Sequence, residues 1–217
     1  MADEKEIIAR RIAQELGDGD IVNLGIGLPT LVANYLPEGV SVVTQSENGM
    51  LGVDAAPEKG KEDPDLVNAG GKYVTAQKGA CCFDSAMSFS IIRGGHIDVA
   101  VLGALEVDKK GNLASHIVPG KKVSGMGGAM DLATGAKKII IATVHTSNGK
   151  PKIVDQLSLP ATAIGVVDLI VTEKAVIEVT PEGLHLKEIA SDTTIDEVIN
   201  STGTELIVNP DLKVAAV

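Results

Sequence analysis

Residues 139–144, Ile-Ile-Ile-Ala-Thr-Val, form an almost unbroken β-branched run. A strand of this kind has no polar face to show to water, so it must be covered on both sides, as in the interior of a sheet sandwiched between helices. Ile97 to Gly103 is a second apolar strand, leading to Val107–Asn112, which reads as a hairpin with a solvated tip. These segments alternate with helical patterns and with glycine turns at strand ends. The fold class they indicate is α/β, a single-domain open mixed sheet flanked by helices, with one domain over residues 1–217.

The remaining elements fit that frame. Residues 3 to 16 open with Asp3-x-x-Glu6, a capping-box variant, and carry Ile8, Ile12 and Leu16 at helical spacing. A short strand from Asp20 to Leu24 runs into Gly25-Ile26-Gly27, and Pro29 starts a helix through Tyr35. A second strand, Val40 to Thr44, gives way to Ser46-Glu47-Asn48-Gly49. A proline-marked loop from Ala55 to Asp65 follows, then the Asn68-Ala69-Gly70-Gly71 turn and a short strand from Tyr73 to Ala76. Phe83 to Ile92 reads as a helix ended by Gly94-Gly95, and Asn148-Gly149 as a hairpin turn. Strands are also expected at Leu169–Thr172, Val176–Val179 and Leu184–Ile189, with a late helix over Thr194–Asn200.

Composition excludes several function classes. The formal net charge of −10, with a single basic pair in the first helix, Arg10-Arg11, is not the footprint of a nucleic-acid binder. Charges crowd the N-terminal residues where a signal peptide would be apolar, and no apolar run approaches ~18 residues, so the chain reads as cytoplasmic and not membrane-bound. Cys81 and Cys82 are adjacent and read as reduced and buried. The four histidines, His96, His116, His145 and His185, are scattered and make no metal-ligand spacing, so no metal is expected.

Three segments could carry chemistry. Gly25-x-Gly27, between a strand and a helix, is either a phosphate cradle or a tight turn, and the third glycine of a dinucleotide fingerprint is replaced by Thr30. In Ser46-Glu47-Asn48-Gly49, Asn-Gly tolerates left-handed backbone and would hold Glu47 in a sharp strand-to-loop turn, as a surface carboxylate, a general base or a nucleophile. Gly125-Met126-Gly127-Gly128 offers backbone N–H groups for an oxyanion hole, or simply a flexible turn. Arg93 and His96 stay unassigned. No G-x-S-x-G elbow supports a serine hydrolase.

Six segments in order resemble the β subunits of class I coenzyme A transferases, across nearly the whole chain: Val22–Thr30 (VNLGIGLPT), Ser46–Gly52 (SENGMLG), Leu66–Lys72 (LVNAGGK), Ser88–Asp108, Gly111–Lys121 (GNLASHIVPGK) and Gly125–Leu132 (GMGGAMDL). The resemblance implies the CoA-transferase fold and is nearest to the acetate- or butyrate–acetoacetate type, with the corresponding β subunit of 3-oxoadipate CoA-transferase as the alternative. It implies that Glu47 is a covalent nucleophile in a ping-pong reaction through a glutamyl-CoA thioester, and that Gly128 supplies an oxyanion-hole N–H. It implies further that Asn23, Gly25, Gly27 and Gly127 border the coenzyme. The chain departs from the Ala-Gly-Lys pattern of fused members by the extra Gly71 before Lys72.

The substrates implied are an acyl-CoA thioester and short-chain carboxylic acids, with no permanently bound cofactor. The partner implied is a separately encoded α subunit, in an α2β2 assembly, which completes the oxyanion hole. Two readings from other classes remain beside it: a sugar-phosphate isomerase with Glu47 as base, and a metabolite sensor of the same fold.

Overall fold

In the computed structural model, which describes residues 3–120 and 125–215, the chain opens with α1 (Glu4–Ala13), β1 (Ile21–Leu24) and a 3-10 helix (Leu28–Tyr35). β2 (Val43–Ser46), β3 (Met50–Val53), β4 (Ala76–Cys82), α2 (Ser85–Arg93) and β5 (Val99–Leu102) follow. β6 (Glu106–Asp108), β7 (Leu113–Ala114), α3 (Ala129–Gly135) and β8 (Lys138–Ala142) form the middle of the chain, followed by β9 (Thr146–Ser147), β10 (Lys150–Pro151) and β11 (Ile153–Val154). The last third comprises β12 (Leu169–Val171), β13 (Ala175–Thr180), β14 (Gly183–Ala190), α4 (Ile195–Ser201) and β15 (Ile207–Ala215). Lys121, the last residue of one sequence motif, lies outside the described residues.

Ten strands form one sheet in the order β15-β14-β13-β12-β8-β5-β1-β2-β3-β4. Its centre, β12-β8-β5-β1-β2, is parallel, and antiparallel pairs extend it on both sides, with β15 added parallel to β14 at one edge. Burial on both faces is visible residue by residue. Ile139 and Ile141 of β8 pack with Ala100, Leu102 and Ile170 against α2, α3 and α4, whereas Ile140 packs with Val99, Val101 and Val171 against α1. Ile139, Ile140 and Ile141 are at most 2% exposed, and each such side chain contributes about 1.5–3 kcal/mol of burial free energy. The β-branched run therefore supplies a central strand of the sheet.

Several local expectations shift. The Asp3-Glu6 box does not form: the Glu6 N–H donates to the Asp3 carbonyl at 2.8 Å and not to its side chain, and the Glu6 carboxylate accepts from Arg10 at 2.7 Å. At α4 the box does form, with Thr194 and Glu197 bonded reciprocally. The segment after Gly27 winds as a 3-10 helix, and the strand expected at 40–44 is displaced to Val43–Ser46, so that it delivers Glu47 directly past its end. In place of a strand at 73–76 there is a single bridge, Val67 to Tyr73, and the strand begins at Ala76. The 107–112 hairpin does form, with Lys109 and Lys110 exposed at its tip, while Asp108 beside them is buried, its carboxylate accepting from the Lys110 and Asn112 backbone N–H groups and from Asn112 Nδ2.

Cys81 and Cys82 are free thiols but exposed, not buried. The reason is topological: β4 is the edge of the sheet, and most of its residues face solvent. Arg93 forms an ion pair with Asp131 at 2.6 Å, tying α2 to α3. Among the described residues no helix is long and apolar enough to cross a membrane.

Candidate active site

Parallel strands that enter a sheet from one side deliver all their following loops to the opposite edge, which is where ligands collect in open α/β sheets. Here β1, β2 and β5 end together around a cleft of about 360 Å³. Its walls include Asn23, Gly25 and Gly27 from β1 and its loop, Glu47 from the end of β2, Gly103 and Ala104 after β5, and Met126 of the glycine-rich segment.

The turn carrying Glu47 is held from several sides. Gly49 N–H donates to Ser46 O at 3.0 Å, and Phe83 N–H donates to Gly49 O at 2.9 Å. Gly49 adopts φ 123°, and a Cβ there would lie 2.0 Å from Phe83 O, so no other residue fits. Asn48 does not itself take the left-handed conformation; its Nδ2 donates to Val67 O at 2.7 Å. Ser46 Oγ accepts from Ala69 N–H at 3.0 Å. The asparagine therefore fastens the turn to the 67–69 segment while the glycine bends it.

Glu47 is half-buried, and among the described residues its carboxylate accepts no hydrogen bond. Other half-buried carboxylates are engaged: Glu15 with Arg11 and Lys138, and Glu188 with Arg11. Glu47 instead packs against glycine backbone. A Cβ on Gly128 would lie 3.3 Å from Glu47 Cγ and Cδ, and one on Gly127, at φ 53°, would lie 3.7 Å from Glu47 Oε1. The two glycines leave room for a carboxylate and for whatever reacts with it.

The base of the cleft is polar and rigid. Asn23 is 1% exposed and donates through Nδ2 to Gln45 Oε1 at 2.5 Å, while Gln45 Nε2 donates to Ser88 Oγ at 2.9 Å. Asn23 Oδ1 is buried with no partner among the described residues, an unmet acceptor beside the cleft. Behind the β5 loop, Lys152 Nζ donates to Ala104 O and Thr143 Oγ1, both at 2.6 Å, and its burial pushes the ammonium's pKa down. Beside it His145, fully buried, has Nδ1 3.0 Å from Thr172 Oγ1 and Nε2 2.9 Å from Thr202 Oγ1. Burial, assisted by the charge of Lys174, pushes its pKa down to about 4.

All six residues singled out in the sequence border this one region: Asn23, Gly25, Gly27 and Glu47 line the cleft, and Gly127 and Gly128 lie against Glu47. Arg93 and His96 do not line it. Sequence reasoning missed Gln45, which no local pattern distinguishes from an ordinary strand residue, and His116, read only as one of four scattered histidines. His116 lines the cleft with Ser115. Lys72 is also there, the one lysine or arginine on its walls among the described residues. No group of three or more metal-ligating side chains occurs among the described residues.

The chain is 53% identical over 204 residues, 94% of each chain, to the beta chain of a probable coenzyme A transferase of Bacillus subtilis. It is 53% identical over 211 residues, 97% of this chain and 96% of the other, to the beta chain of the acetate CoA-transferase of Escherichia coli. The fold of an acyl-CoA transferase from Escherichia coli O157:H7 superposes on 99% of this chain with a TM-score of 0.76 at 24% identity, the match covering 43% of that longer chain. The model of the family described as Coenzyme A transferase matches residues 5–201. This chain belongs to the coenzyme A transferase family and is an enzyme of the transferase type.

Proposed function

We propose that this chain, as a single domain over residues 1–217, is the β subunit of a short-chain 3-oxoacid CoA-transferase, and that it moves CoA between an acyl-CoA and a carboxylic acid, acetoacetate exchanging with acetate, butyrate or succinate. The observation that carries the reading is Glu47, a half-buried carboxylate with no hydrogen-bond donor from the described residues, held by a rigid turn against the Gly127-Gly128 backbone inside the cleft. A carboxylate left without protein donors keeps its lone pairs for attack, whereas one tied to arginine would be a weaker nucleophile.

The reaction conserves the thioester. Glu47 Oε attacks the acyl-CoA carbonyl, the C–S bond breaks, and CoA leaves as the thiolate from an acyl-glutamyl anhydride. The thiolate then attacks the Glu47 carbonyl carbon, expelling the first carboxylate and leaving a glutamyl-CoA thioester. An incoming carboxylate attacks that carbon and displaces the thiolate, which in turn attacks the new acyl carbonyl and regenerates Glu47. No proton or electron is lost or gained overall. Each addition develops an oxyanion, and a preorganised donor such as the Gly128 N–H stabilises it by ~3 kcal/mol. The other donor comes from the α subunit, in an α2β2 assembly.

Asn23, Gly25, Gly27 and Gly127 border the coenzyme in this reading. An amide N–H of its pantetheine arm would satisfy the unmet Asn23 Oδ1. CoA thioester is a substrate here and no prosthetic group takes part. The test is CoA transfer from acetoacetyl-CoA to acetate by the chain reconstituted with its α subunit. Activity that depends on both chains and on Glu47 supports the reading, and activity retained by Glu47→Gln removes it.

A further inference from the structure

His116 stands on the cleft wall with a support that the transfer mechanism leaves unused. β7 ends at Ala114, and the next two residues, Ser115 and His116, turn into the cleft. Behind them lies Thr162, only 6% exposed and fixed to β7 by backbone bonds: its N–H donates to Leu113 O at 2.6 Å, while Leu113 N–H donates to Ala163 O at 2.9 Å. Thr162 Oγ1 accepts from Ser115 N–H at 2.9 Å and lies 3.0 Å from Ser115 Oγ and 2.7 Å from His116 Nδ1. Three groups thus converge on one buried hydroxyl.

A threonine hydroxyl accepts two hydrogen bonds and donates one. Thr162 Oγ1 accepts the Ser115 N–H, and either hydroxyl can donate in its 3.0 Å contact with Ser115 Oγ; in the arrangement in which the Ser115 O–H is the donor, the Thr162 proton goes to His116 Nδ1 and the imidazole carries a proton on Nε2. Among the described residues Nε2 has no protein partner. The acyl groups and acids that enter the cleft carry carbonyl and carboxylate oxygens, which accept hydrogen bonds and donate none, so they select this tautomer.

We propose, resting on the transferase function above, that His116, oriented by Thr162, is a specificity-determining residue. Its Nε2–H donates to an oxygen of the acyl chain beyond the thioester carbonyl, a 3-oxo oxygen or a second carboxylate. A site built to bond such an oxygen discriminates against an analogue that lacks it, because the donor is then left unpaired.

The test uses the assembled complex with its α subunit and compares kcat/KM for acetoacetyl-CoA, succinyl-CoA and butyryl-CoA, with acetate as the common acceptor. In His116→Leu the ratio of at least one oxygen-bearing donor to butyryl-CoA falls by about tenfold, the equivalent of one hydrogen bond. His116→Gln, which keeps an N–H near the Nε2 position, recovers most of it, and Thr162→Val lowers it by a smaller factor. A fall for acetoacetyl-CoA alone identifies the oxo group as the bonded oxygen, and a fall for succinyl-CoA alone identifies the carboxylate. Each ratio is read within one preparation, so an inactive fraction cancels. A ratio unmoved in all three variants, or donors that lose activity in parallel, overturns the proposal while leaving the transferase function standing. A wild-type complex that transfers CoA from none of the three overturns both.

Discussion

The Glu47 carboxylate lies against the backbone of Gly128, so close that a methyl group on that residue would come within 3.3 Å of Glu47 Cδ. The two residues are brought together by the end of β2 and the start of α3, where Gly128 is also the N-cap of the helix and its carbonyl accepts the Leu132 N–H at 2.9 Å. Their contact turns a glycine in a loop into part of the reacting environment of a carboxylate. It also makes the site testable by small substitutions.

Replacing Glu47 by Gln keeps the shape and removes the proposed nucleophile. We expect the reconstituted complex to lose CoA transfer by at least about 10³-fold, with thermal unfolding unchanged within the spread of a surface substitution. Steady-state transfer assays and melting curves on the same preparation check both halves of the statement.

Gly128→Ala separates space from backbone conformation. Gly128 has φ −81°, which alanine adopts without strain, yet its methyl group would press on Glu47. The expected result is a drop in kcat of about 10- to 100-fold with little loss of stability, as befits a small displacement of a reacting group. A variant with unchanged kcat would mean that Glu47 yields freely.

Asn23→Ala removes the buried acceptor beside the cleft and also deprives Gln45 Oε1 of its donor. The expected signature is a rise in KM for acyl-CoA of about tenfold, together with about 1–3 kcal/mol of destabilisation from the unpaired Gln45. Steady-state kinetics with acyl-CoA and urea unfolding give the two quantities separately.

His145 predicts a pH dependence of stability. Its pKa is held down to about 4 by burial, below the ordinary value of 6.5. Between those values the unfolded chain binds a proton that the folded chain does not, so stability is complete above about pH 6.5 and falls as the pH drops toward 4, by up to about 3 kcal/mol. Glu173, whose pKa burial pushes up, acts in the opposite sense. In His145→Gln the slope of unfolding free energy against pH over this window should therefore be shallower than in the wild type, as measured by urea titration.

What was legible in the sequence follows the range of each interaction. Ile139–Val144 announces a central strand because continuous β-branched burial is a local property. Asn48-Gly49 announces the turn that presents Glu47 for the same reason. Capping shows the limit of that logic: in Asp3-x-x-Glu6, the one capping motif read from the sequence, Glu6 is taken by Arg10 one turn later, whereas the box that does close, at Thr194 and Glu197, is read only as the start of a late helix. The exposure of Cys81 and Cys82 depends on β4 being the last strand of the sheet, which no neighbouring residue reveals. β15 contains Pro210, which argues against an interior strand and is tolerated because β15 is the other edge.

Within the site, the motif residues were readable singly but their neighbours were not. Gln45 meets Asn23 across 22 residues, and Thr162 meets His116 across 46. Such contacts are set by strand order and register, which arise only when the whole sheet assembles.

The most direct test of the covalent mechanism is the mass of Glu47 itself. The chain is incubated with acetoacetyl-CoA in the presence and absence of its α subunit, treated with borohydride, and the peptide spanning Glu47 is measured. Borohydride reduces a glutamyl thioester to the alcohol, so a small loss of mass at Glu47 is expected only when the α subunit is present. An unmodified Glu47 in a confirmed complex that still transfers CoA would contradict it.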